Sequence, residues 1–174
     1  MNLIIRPVNM LDLNAVVKIE SQAFSMNEDM TRKDMIGRIK NYPDTFLVAE
    51  VDYQLVGHIF GPAFNQPYIR DEIYFENHPN RKADQYQTVL SLAVSPEFRK
   101  QGIATELLDE LSKVAKSQNR LAITLICLPK LISFYEKRGF VNKGKTSDDI
   151  PDPDDESSYN MVKELYKKGF STLT

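Results

Sequence analysis

The sequence predicts an α/β (α+β) fold in which a mixed sheet is covered by helices. Three observations carry that expectation. Apolar runs of strand length alternate with stretches of helical period. Neither an internal repeat nor a low-complexity linker interrupts them. At 174 residues, 42% hydrophobic and 26% charged, the chain suits one sizeable core.

The elements follow in order. Leu3-Ile4-Ile5 reads as a short strand stopped by Pro7, and Leu11 to Phe24 as a helix with Val16, Ile19 and Ala23 on one face. A second helix is expected from Thr31 to Lys40, with Thr31 as N-cap and Asp34 completing a capping-box variant. The β-rich runs 45–51 and 55–60, split by Asp52-Tyr53-Gln54, suggest a hairpin. Asn65 to Asp84 is polar, contains Pro67 and Pro79, and reads as a long loop placed to cover a site. Thr88 to Val94 is the most apolar strand, ended by Ser95-Pro96. Ile103, Leu107, Leu108, Leu111, Val114 and Ala115 then form a helical stripe. Leu121 to Ile126 is a buried-type strand, and Pro129 opens a helix that Gly139 ends near Arg138. Tyr159 to Leu165 is the last strand, and an exposed edge there would permit a homodimer as well as a monomer.

Composition removes several function classes. A formal charge of -2 argues against a surface built for nucleic acid or an anionic membrane, so neither is expected as a partner and any positive site must be local. Residues 1–7 lack the features of a signal peptide, and no apolar run approaches the roughly 20 residues needed to span a bilayer. The single cysteine, Cys127, excludes an internal disulfide and a thiolate metal site and suits a reducing compartment, so the cytoplasm is expected. His58 and His78 are too few, and wrongly spaced, for a histidine-rich metal centre, so no metal is expected.

The segment "SPEFRKQGIATELL", Ser95 to Leu108, carries the chemistry. Arg99 and Lys100 precede Gly102, and an amphipathic helix begins at once. A helix N-terminus leaves its first amides unpaired and carries roughly half a positive charge, so it attracts phosphate where the backbone can approach. Gly102 and Ala104 allow that approach. Walker A and dinucleotide loops need two or three glycines at fixed spacing, and here there is one. Taken alone, the segment is as consistent with a solvated basic turn as with an anion site.

In context, Arg99-Lys100-Gln101-Gly102-Ile103-Ala104 resembles the (Q/R)xxGx(G/A) motif of the GNAT superfamily of acyl-CoA N-acyltransferases. "FYEKRGF", Phe134 to Phe140, resembles the FYxxxGF segment of its arylalkylamine N-acetyltransferase-like branch. The order of elements from Ile4 to Leu165 fits as well. The resemblance implies a single domain over 1–174, with a mostly antiparallel sheet of about six to seven strands flanked by about four helices. It implies acetyl-CoA as cosubstrate, with Leu92, Ala93 and Val94 along the pantetheine arm. The pyrophosphate would lie on Arg99, Lys100, Gln101, Gly102, Ile103, Ala104 and Thr105. It implies transfer of acetyl to a small primary amine, arylalkylamine or polyamine-like, by direct attack in a ternary complex. The alternative is a coenzyme A-binding sensor or interaction module without turnover, and a third reading is a phosphate-binding regulator.

Tyr135 matches the family's tyrosine near the coenzyme sulfur. A phenol of pKa about 10 gives up its proton to a thiolate of about 8.5 only uphill, so hydrogen-bond donation is the expected role. Two histidines of vertebrate-type members are replaced here by Thr88 and Leu90. Thr88 is thus the remaining position for ordering a water that takes the amine proton. Six carboxylates between Ser147 and Ser158 read either as a solvated loop or as an attractor of cationic amines. His58 reads as packed or edge-exposed. Cys127 reads as a small buried hydrophobe, with an acyl-cysteine route as the alternative. Glu20 and Glu28 fall in the region that contacts the acceptor in this family, and their spacing assigns them nothing.

Overall fold

The computed structural model describes residues 1–147 and 156–166. Its strands divide into two sheets. In the first, β1 (Leu3–Pro7), β2 (Phe46–Val51), β3 (Gln54–Phe60) and β6 (Ser91–Val94) lie side by side, all antiparallel. In the second the order is β4 (Ala63–Phe64), β5 (Tyr86–Val89), β7 (Ala122–Cys127), β9 (Tyr159–Glu164) and β8 (Val141–Lys145). Only β5 and β7 run parallel there. The predicted mixed, mostly antiparallel sheet flanked by four helices holds, and its division in two is the addition.

The division has a local cause. Thr88 to Val94 is expected as one strand, but the ladder breaks at Leu90, which lies between β5 and β6. On one side of the break Thr88 pairs with Thr124 of β7, and on the other Leu92 pairs with Ile59 of β3. Leu90 packs against the cluster of Val17, Met35 and Phe60, whereas Leu92, two residues on, packs toward Leu107 and Tyr135 on the opposite face. An irregularity of this kind re-aims a strand. β6 therefore leaves β7, and a split opens between them.

Helices cover both faces. α1 (Leu13–Phe24) and α2 (Glu28–Asn41) pack on one side around Val16, Met35, Tyr42 and Phe46. α3 (Ile103–Ser117) lays Ile103, Leu107, Leu111 and Ala115 on the other, over Leu47, Ile59, Ile123 and Met161. α4 (Ile132–Glu136) is one short turn preceded by a 3-10 turn at Pro129–Leu131. Two helix starts differ from expectation. Asn27, not Thr31, caps α2 by accepting from the Met30 amide, and Thr31 is a buried residue of the first turn bonded to the Asn27 carbonyl. Asn9 and Asp12 form a capping box before α1, which starts two residues later than predicted. The 52–54 hairpin holds, with Asp52 and Tyr53 both at positive φ (48° and 70°) as a tight two-residue turn requires.

The long loop 65–84 contains the short 3-10 turn Asp71–Tyr74 and is tied down at several points. Asn80 accepts from the Ala63 amide and donates to Asp44 and Thr45. Arg120, buried in the turn between α3 and β7, donates to the carbonyls of Arg81 and Asp84. Phe64, Ile69 and Ile73 then pack on Leu90 and Ile126, the residues flanking the split. Gly61 sits where β3 turns toward β4, and a Cβ there would run into the Thr88 carbonyl. The expected dimer edge is corrected: β9 lies between β7 and β8, so its backbone groups are already paired and offer no open edge. β8 was missed because its sequence, VNKGK, is polar and fully exposed.

Candidate functional site

A groove of about 460 Å³ runs from the start of α3 to α4 beside the split. Its floor is β6. Ser95 donates to the Val56 carbonyl, so in an antiparallel ladder Ala93 and Ser91 also point their backbone groups at β3, and Leu92 and Val94 point theirs into the split. Leu92 and Val94 line the groove, and Ala93 does not. Ala93 is corrected accordingly: its polar backbone atoms belong to the sheet.

The entrance is built from strained backbone. Lys100 has φ 61° and Gly102 φ 84°. A left-handed lysine costs on the order of 1–2 kcal/mol, and such turns arrange successive amides into an anion-binding concavity. The first amide of α3 to bond back within the helix is that of Glu106, to the Gly102 carbonyl at 3.1 Å. The amides of Ile103, Ala104 and Thr105 have no such partner. A Cβ on Gly102 would meet nothing within 4 Å, so the space above this turn is open. Lys100, Gly102, Ile103, Ala104 and Thr105 all line the groove, whereas Gln101 turns outward, its amide 3.4 Å from the Glu97 carbonyl.

Arg99 and Arg138 add fixed charge. Arg99 Nε donates to the Val94 carbonyl at 2.9 Å, which ties the cation to the strand. Arg138 escaped the sequence reading. Its Nε donates to Thr105 Oγ1 at 2.8 Å and an Nη to the Phe134 carbonyl at 2.7 Å, and its guanidinium lies 3.6 Å over the Phe134 ring. It therefore clamps α4 to the first turn of α3, and only its proximity to FYEKRGF signalled it. Among the described residues no carboxylate lines the groove.

At the far end stands Tyr135, 8% exposed, its ring edge-on to Phe134 and Phe140 at 5.1 and 5.4 Å. Burial first, then neighbouring Cys127, pushes the phenol well above its ordinary pKa, against a smaller lowering by Arg138. The hydroxyl is thus a proton-bearing donor across the working pH range. Cys127 is itself buried, and that burial pushes its thiol up to about 11. A protonated thiol is a poor nucleophile.

Thr88 lies elsewhere. It is fully buried, and its hydroxyl donates at 2.6 Å to the Pro62 carbonyl. Its proton is committed to holding β5 against the β3–β4 corner. Behind β6, on the α1 face, the structure assembles a cluster that sequence spacing did not reveal. Glu20 Oε2 lies 2.7 Å from His58 Nε2 and accepts from the Ser91 hydroxyl at 2.6 Å. All three are buried, and His58 packs between Phe46 and Phe60. Glu28 is exposed in the first turn of α2. Of the acidic run 148–156, residues 148–155 lie outside the described residues and Glu156 is exposed. No group of three His, Cys, Asp or Glu that could hold a metal ion occurs among the described residues, and no helix among them is long and apolar enough to cross a membrane.

A split sheet, an amide-rich turn at its mouth and a buried phenol at its end define an acyltransferase-type scaffold. The family model for acetyltransferases of the GNAT family matches residues 13–140, and the chain belongs to that family. The fold is shared with Ard1 from Thermoplasma volcanium (TM-score 0.70, 20% identity, 96% of this chain and 100% of that one). It is shared with the ribosomal-protein-S18-alanine N-acetyltransferase from Escherichia coli (TM-score 0.69, 16% identity, 99% and 100%). A GNAT-like decarboxylase, GphF, in complex with isobutyryl-CoA aligns at TM-score 0.78, with 16% identity over 94% and 100%. No match is found among curated proteins.

Proposed function

We propose that this chain is a single-domain, acetyl-CoA-dependent N-acetyltransferase that acts on a small primary amine in the cytoplasm. The groove carries the reading: free amides and strained backbone at one end, and the phenol of a largely buried tyrosine at the other. The residues present fit coenzyme A. Lys100 to Thr105 would take the pyrophosphate, with Arg138 and Arg99 as the nearby cations. Leu92 and Val94, whose backbone groups face the split, would pair with the pantetheine arm as an added strand. When bound, acetyl-CoA supplies an activated acyl group.

The chain's own residues then divide the work. The Leu92 amide, which faces away from β3, would donate to a developing oxyanion, a role that needs no side chain. Tyr135 donates a hydrogen bond to the departing sulfur and keeps its proton, because burial has raised its pKa further above that of a thiol. An amine of pKa about 10.4 is charged near pH 7, and neutralising it costs roughly 4.6 kcal/mol. With no carboxylate or imidazole lining the groove among the described residues, that proton passes to water. FYEKRGF supports the arylalkylamine-like branch, while Thr88 and Leu90 in place of histidines leave the acceptor to be read from other features.

Acetyl-CoA at 100 times Kd should stabilise the protein by about 2.7 kcal/mol in a thermal-shift assay, and a primary amine should then release free thiol. Stabilisation with no thiol release from any amine points to a binding module instead. Gly102→Val is expected to weaken acetyl-CoA binding about 10-fold or more by filling the open space above the turn. Its folding cost is the backbone strain of about 1–2 kcal/mol. Equal loss of both would reduce the segment to a structural turn. Cys127→Ala is expected to keep kcat within about threefold, since a buried, protonated thiol forms no acyl-enzyme. A folded Cys127→Ala protein without turnover would restore that route.

A further inference from the structure

A second cavity, of about 420 Å³, lies across the second sheet from the groove. Loop residues Ile69 and Arg70 wall one side, and Lys143, Lys145 and Asn160 the other. Its face is settled by register. Asn160 stands opposite Ile126, so the two side chains share a face. Ile126 packs on Ile69 and Ile73, whereas Met161, the next residue of β9, packs beneath α3 on the groove side. Leu90 and Ile126 flank the split and both touch the loop cluster. Ile69 both lines this cavity and belongs to the cluster on which Leu90 and Ile126 pack, so the cavity lies beside the gap between β6 and β7.

The walls are cationic. Three basic residues line the cavity and no carboxylate does among the described residues. Neither lysine forms an ion pair among those residues, and Arg70 has only Glu72 at 3.7 Å, both about half exposed. Lys143 and Lys145 both line the cavity, on either side of Gly144 at φ 100° in the irregular part of β8. Asn160 is 7% exposed and its Oδ1 has no partner, which leaves an acceptor oxygen suited to an N–H. A site with fixed cations and one unpaired carbonyl is complementary to a molecule with an anion and an amine.

We infer that this cavity receives the acceptor, and that the acceptor is a primary amine carrying an anionic group, a carboxylate or a phosphate, held by Arg70, Lys143 and Lys145. The inference rests on the acetyltransferase reading and narrows it away from polyamines. In the reaction the amine nitrogen bonds to the acetyl carbon as the carbon–sulfur bond breaks. The amine proton passes to water and the sulfur leaves as the thiolate.

The test compares matched amines with the full-length protein and acetyl-CoA: ethanolamine against O-phosphoethanolamine, phenethylamine against phenylalanine, propylamine against β-alanine, with putrescine as the dication. In at least one pair the anionic member should give a kcat/KM about 10-fold or more above its neutral partner, falling as salt rises. The phosphate and carboxylate pairs tell the two anions apart. The double variant Lys143→Gln/Lys145→Gln, both exposed positions, should remove that preference by raising KM for the anionic amine. Its KM for acetyl-CoA should stay unchanged. A wild-type preference for neutral amines or putrescine, or a preference untouched in the double variant, overturns the inference and leaves the acetyltransferase reading intact. Acetyl-CoA binding with no amine acetylated removes both.

Discussion

Tyr135→Phe is expected to lower kcat about 100-fold or more while leaving KM for acetyl-CoA nearly unchanged. The hydroxyl lies at the end of the groove, and the ring is held edge-on by Phe134 and Phe140, so phenylalanine keeps the packing and removes only the donor. Because burial and Cys127 raise the phenol's pKa, the hydroxyl stays protonated through the range in which activity is measured. The wild-type pH profile should accordingly show no loss assignable to Tyr135 below about pH 10. Turnover within about threefold of wild type in the variant would remove Tyr135 from the chemistry.

The largest effect on stability is expected from Glu20→Ala. Glu20 Oε2 is the shared partner of His58 Nε2 and the Ser91 hydroxyl, both buried. Its removal strands two polar groups in the interior at about 1–3 kcal/mol each. The sum, roughly 2–6 kcal/mol, corresponds to a fall in Tm of about 5–20 °C for a domain of this size. Replacing all three residues with apolar ones, Glu20→Leu, His58→Leu and Ser91→Ala, should recover part of the loss, because nothing then remains unpaired. A Glu20→Ala protein melting within about 2 °C of wild type would show that the cluster holds nothing together.

That cluster shows what the chain does not disclose locally. Glu20, His58 and Ser91 are separated by 38 and 33 residues, and each alone is an ordinary residue of a helix or strand. They meet because α1 crosses β3 and β6 on the face that the break at Leu90 exposes to it. Arg138 is similar: its role as a clamp depends on Thr105 lying beside it. Motifs confined to one turn were far easier to read. The helix stripe from Ile103 to Ala115, the glycine before it, the hairpin at Asp52 and the FYEKRGF segment were all legible because the physics they express is contained within a few residues. β8 was illegible because its five residues are all exposed and carry no apolar alternation.

The sequence by itself determined the alternation of strands and helices, the amide-rich start of α3, and a tyrosine in a recognisable apolar setting. Each rests on propensity, periodicity or backbone freedom, which act over a few neighbours. The tertiary structure alone decided that one apparent strand is two. It decided that Leu92 and Val94, and not Ala93, turn their backbone groups into the split. It also committed Thr88 to the fold and gathered Arg70, Lys143, Lys145 and Asn160 around one cavity. Those outcomes depend on which strands pair and where a ladder breaks, and pairing is set by burial of whole faces rather than by any single segment.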